Sequence, residues 1–256
     1  MDIDSLLSRI TPAMITADGS GVRAAVLDGG VDPSGPGLAG RVAEAVVITE
    51  TGRGADGRPT FGHRPDGGRL APQHGTTVAA ILASAAPGAV LHSADVLGPR
   101  MEATPELLAE GLRWAVAAGC RVINVSFGAV RGQVIAARRW ALAEAVEAAY
   151  WAGVTVVAAA HPGHPAVASI PATFSIPVAV RRGTIDDPLR FLYGPDAGVE
   201  FEAHSRPDGR RETSATFAAP RIAALVCRLL SQFPRLKPFE IKTVLYRLAE
   251  YHRRSR

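Results

Sequence analysis

A chain of 256 residues that is 47% hydrophobic and 20% charged is long enough to bury a full core, within the size that α/β proteins fill as one domain. Its start, Met1-Asp2-Ile3-Asp4-Ser5, lacks the basic opening and apolar run of a signal peptide, and no stretch approaches a membrane span. A cytoplasmic protein without a membrane partner is expected. The net charge of +4 comes from scattered arginine pairs, with lysine only at Lys237 and Lys242, which argues against a nucleic-acid partner.

In chain order, apolar and β-branched runs bounded by turn residues predict strands over 23–27, 42–48, 90–96, 122–125, 154–159 and 176–180. Helix-period segments lie between several of them. One follows His74-Gly75-Thr76-Thr77-Val78-Ala79. Another opens at Thr104-Pro105-Glu106, where a hydroxyl cap, a first-turn proline and an early acid precede Leu107, Leu108, Leu112 and Val116, and ends at Gly119. Further helices are predicted from about 133 to 151, from near Thr216 to Phe233-Pro234, and from Pro238 to about Tyr251. This alternation predicts a mostly parallel sheet with helices on both faces. Residues 51–73 and 183–212 show no clear period and are expected to be loops. The expected organisation is an N-terminal segment, 1–21, and a single domain, 22–256. Cys120 and Cys227 sit inside apolar runs and suit small buried side chains.

Asp28 follows the first strand and precedes Gly29-Gly30, so its carboxylate belongs at the C-terminal end of a sheet strand, where ligands of open α/β sheets gather. His74 begins a helical run, and Gly75 beside it permits close approach of another backbone. The order Asp28-Gly29-Gly30-Val31-Asp32, then His74-Gly75-Thr76-Thr77-Val78-Ala79, then Ser214-Ala215-Thr216-Phe217-Ala218-Ala219-Pro220 resembles the subtilisin-like serine peptidases. The resemblance runs from about 22 to 250. It includes Ser126-Phe127-Gly128, like that family's substrate-binding turn, and Ala158-Ala159-Ala160 with Ile170-Pro171-Ala172-Thr173, like the segments around its oxyanion site.

The resemblance implies the three-layer subtilisin-like α/β fold and a division of labour that the chemistry demands. Asp28 would orient, His74 would be the base, and a hydroxyl at the helix start would attack. The peptide or protein substrate would pair with Ser126, Phe127 and Gly128 as an added strand, beside Ala158, Ala159 and Ala160. No cofactor is implied, and acids such as Asp32 and Asp56 are too sparse to define a metal site.

Three departures concern the nucleophile and the oxyanion. The family's Ser-x-x-x-Pro spacing lands on Thr216, whose methyl restricts its rotamer. The family's Gly-Thr before the nucleophile becomes Ser214-Ala215, placing a side chain where a tight turn is expected to want glycine. Ser214 is itself a second candidate nucleophile, but choosing it would need a two-residue insertion, so Thr216 fits better. Where the family carries Gly-Asn, the chain has His161-Pro162, so the side-chain amide donor is absent, and Thr216 and, more weakly, His161 are the oxyanion candidates. Loss of one such donor costs about 100- to 1,000-fold in rate, a figure measured on subtilisin. Gly29 and Thr77 also depart from the pattern without touching proton transfer. Two readings stay open: a peptidase of impaired or narrow activity, and an inactive relative that binds a peptide or protein partner.

Overall fold

The computed structural model describes residues 16–66, 73–97, 102–130, 135–160, 169–196, 199–207 and 212–254, with Ser5, Ser8 and Ile10 before them. Strands β1 (Arg23–Asp28), β2 (Val42–Arg53), β3 (Pro59–Pro65) and β4 (Val90–Asp95) surround helix α1 (Gln73–Ala85) in sequence. They are followed by α2 (Pro105–Ala117), β5 (Val122–Val125), β6 (Ala129–Val130), α3 (Ala136–Trp151), β7 (Thr155–Ala159) and β8 (Ser169–Ile170). Strands β9 (Val178–Gly183), β10 (Phe191–Asp196) and β11 (Val199–His204) lead into α4 (Ala215–Gln232) and α5 (Pro238–Arg254).

Nine strands form one sheet in the order β10-β11-β9-β7-β5-β1-β4-β2-β3. From β11 to β2 every neighbouring pair is parallel, and β10 and β3 close the two ends antiparallel. The two-residue side-chain period sorts each strand between two cores. Ala24, Val26, Val157 and Ala159 pack with α1, α4 and α5, whereas Ala25, Leu27, Val156 and Ala158 pack with α2 and α3. This is the expected three-layer α/β architecture. Ile10 is fully buried in the first core, so the N-terminal segment contributes to it. Cys120 and Cys227 are free, buried thiols, each pushed up to about 12 chiefly by burial. Among the described residues no helix is long and apolar enough to cross a membrane.

Two stretches expected to be loops contain strands. Chain 42–65 is a hairpin in which β2 runs on to Arg53 and returns as β3, with Val47 paired to Arg64 and Glu50 to Phe61. Most of its outer half is exposed, so no apolar alternation marks it. The second pair, β10 and β11, does carry a period-two pattern: Val199, Phe201 and Ala203 are buried while Glu200, Glu202 and His204 are partly exposed. Its charged alternate positions hide that period, and one of them, Glu202, pairs with Arg181 on β9.

Candidate active site

The C-terminal ends of the parallel strands converge at one edge of the sheet. Asp28 is the last residue of β1 and is fully buried. It lies beside Asp95 of β4, and its backbone carbonyl accepts from Val96 N–H at 2.9 Å. Gly30, at φ 88°, then turns the chain away in a conformation that favours glycine. The Asp28 carboxylate accepts from Gly29 N–H at 2.8 Å and faces His74 at the start of α1.

The approach of α1 depends on Gly75. A Cβ there would lie 2.0 Å from the Gly30 carbonyl oxygen and 3.3 Å from Asp28 Cβ, so only glycine lets this helix start sit against the β1 turn. His74 Nδ1 is 2.9 Å and 3.1 Å from the two Asp28 carboxylate oxygens. An ionised carboxylate only accepts, so Nδ1 carries the proton and, in the neutral ring, Nε2 presents a lone pair. That lone pair faces Thr216 Oγ1 at 3.1 Å, and the threonine hydroxyl donates to it. Phe217 supports the imidazole from α4, its ring centroid 5.5 Å away.

Burial works to lower the His74 pKa. The hydrogen bond to Asp28, the Asp28 charge and the more distant charge of Glu212 together outweigh it, so the imidazolium is held above its ordinary value. Glu212 lies in a stretch that carries no periodic signal in the sequence, and its influence on His74 is visible only in the folded chain.

Thr216 is half-buried in the first turn of α4, where Ser214 is the cap. Ser214 has φ −152° and ψ 151°, extended backbone open to any residue, so the side chain at 214 causes no strain, contrary to the expectation that this turn wants glycine. Its backbone N–H donates to the Ser205 carbonyl at 3.0 Å, and its hydroxyl accepts from Thr216 N–H at 3.3 Å. It is Thr216, not Ser214, whose hydroxyl meets His74. Pro220, inside the helix, lacks the N–H that would bond back to the Thr216 carbonyl.

Ser126, Phe127 and Gly128 leave the same sheet edge after β5. Ser126 is buried and accepts from Asn124 Nδ2 at 2.6 Å. A Cβ on Gly128 would lie 2.9 Å from the Ile170 carbonyl oxygen, because the chain next pairs as β6 with β8. Ala158 and Ala159 end β7 with their side chains in the two cores, and Ala160 N–H donates to the Val180 carbonyl at 2.7 Å. His161 lies outside the described residues. Among the described residues no group of three or more His, Cys, Asp or Glu side chains is arranged to hold a metal ion.

The chain that carries this site matches a known sequence family: the model of the Subtilase family, Peptidase S8, covers residues 19–181, more than half of the chain, including Asp28 and His74. The chain belongs to the Subtilase family. Subtilisin E of Bacillus subtilis is 26% identical over 256 residues, covering 91% of this subtilase and 61% of that protein's length. Thermitase of Thermoactinomyces vulgaris is 30% identical over 174 residues, 64% of this chain and 56% of that protein. The fold matches a protease of Pseudoalteromonas arctica with a TM-score of 0.71 at 20% identity, over 91% of this chain and 84% of that one. It also matches the MycP3 protease of the type VII (ESX-3) secretion system with a TM-score of 0.63 at 22% identity, over 93% and 79% of the two chains. The family match ends before the α4 start, so the place of Thr216 in this subtilase rests on geometry alone.

Proposed function

We propose that this subtilase hydrolyses peptide bonds slowly, with Thr216 as nucleophile, His74 as general base and Asp28 holding the imidazole. The single observation that carries this reading is the unbroken hydrogen-bond chain from the buried Asp28 carboxylate through both nitrogens of His74 to Thr216 Oγ1. Thr216 Oγ1 attacks the scissile carbonyl carbon as its proton passes to His74 Nε2. His74 then returns that proton to the departing amine as the carbon–nitrogen bond breaks, leaving a threonyl ester. Water, deprotonated by His74, hydrolyses the ester and frees the Thr216 hydroxyl. The peptide would lie as an added strand against Ser126, Phe127 and Gly128.

A second reading, a relative that binds peptide without turnover, is favoured by the Ser214 hydroxyl on the Thr216 N–H, the backbone donor the oxyanion needs. A fluorophosphonate probe separates the two. Labelling of the parent protein that vanishes in Thr216→Ala and survives in Ser214→Ala supports the peptidase. Peptide affinity with no labelling of the parent, and strong labelling only of Thr216→Ser, supports the binding protein.

A further inference from the structure

We infer that the Ser214 side chain is a built-in brake on catalysis: its hydroxyl holds the backbone N–H of Thr216 that must turn to the oxyanion. This rests on Thr216 being the nucleophile. In acyl transfer, a backbone N–H at the attacking residue stabilises the negative oxygen of the tetrahedral intermediate. Here that N–H already donates to Ser214 Oγ at 3.3 Å. Ser214 is the residue before the first turn of α4, and a serine at that position accepts from the second or third N–H of its helix because those donors have no partner inside the helix. The same residue is fixed by its backbone on both sides, its N–H on the Ser205 carbonyl and its carbonyl accepting from Phe217 N–H at 3.1 Å. The hydroxyl is therefore aimed by the backbone, and only a χ1 rotation releases the donor.

The competition has a sign that can be measured. A capping hydrogen bond must be given up each time the oxyanion forms, and losing it slows the chemical step by about fivefold. Because Ser214 is in extended backbone, glycine and alanine both fit without strain, and glycine remains a good cap residue through solvation of the freed N–H.

The test compares the parent with Ser214→Gly, Ser214→Ala and Ser214→Thr on a peptide ester and a peptide amide, with a thermal melt of each. The expected result is a kcat about fivefold higher in Ser214→Gly and Ser214→Ala at unchanged KM. Ser214→Thr restores a hydroxyl and is expected to lose most of that gain. An unchanged kcat in the glycine and alanine forms overturns the inference. A fall in kcat also overturns it, because the hydroxyl would then be donating to the oxyanion or attacking. If no form turns over, the peptidase reading fails and the brake with it, and hydrogen exchange at the Thr216 amide then tests the contact alone. Faster exchange in Ser214→Gly than in Ser214→Thr sustains the contact, and equal exchange overturns it.

Discussion

The two halves of the candidate site are built differently. The Asp28–His74 half is held by the sheet and by backbone packing: a buried carboxylate at a strand end, a glycine turn, and a helix start pressed onto the Gly30 carbonyl. The Ser214–Thr216 half depends on one helix cap, whose small polar side chain accepts from the Thr216 N–H. Geometry enforced by sheet packing tolerates little change, whereas a capping side chain changes with a single substitution.

Substitutions sharpen the contrast. Asp28→Asn leaves the packing in place but lets Nδ1 accept, turning the Nε2 proton toward Thr216. Turnover is expected to fall by about 10,000-fold in a peptide-cleavage assay, the size of loss that the same change causes in a Ser-His-Asp triad. Gly75→Ala drives a methyl into the Gly30 carbonyl and is expected to lower unfolding stability by about 1–3 kcal/mol, as well as silencing the site, which urea melts would read. Thr104→Ala removes a cap of the same kind as Ser214, accepting from Leu107 N–H at 3.1 Å, but on a helix whose N–H groups do no chemistry. It is expected to cost about 1 kcal/mol of stability with turnover unchanged.

The smallest expected effect is electrostatic. The raised His74 pKa places the acid limb of kcat/KM above the ordinary histidine value of about 6.5, because only the neutral ring accepts the proton. Glu212→Gln removes one of the raising charges, so the limb is expected to move to lower pH, with the difference shrinking at high salt. The same shift affects folding. A histidine whose folded pKa is raised adds stability that is fully present below about pH 6.5 and is lost as pH rises through the folded value. Glu212→Gln is therefore expected to reduce stability on the acid side, and a pH series of thermal melts checks it.

Much of this subtilase is legible in its residues. The α2 start is announced by Thr104-Pro105-Glu106, and Thr104 does cap it. Five of the central strands show as apolar β-branched runs because they are buried on both faces. The β2–β3 hairpin does not show, because its exposed outer half needs no apolar pattern. Charged residues at alternate positions conceal β11.

For the site, the sequence offers Asp28, His74 and Thr216 as candidates through short motifs that resemble the family's, and the structure brings their side chains into contact. Three relations were decided only by the tertiary structure. They are the 3.1 Å contact across 142 positions between His74 and Thr216, the charge of Glu212 on the imidazole, and the extended Ser214 backbone that aims its hydroxyl at the Thr216 N–H. Each depends on a distance or a dihedral set by packing, and neither is written in residue order.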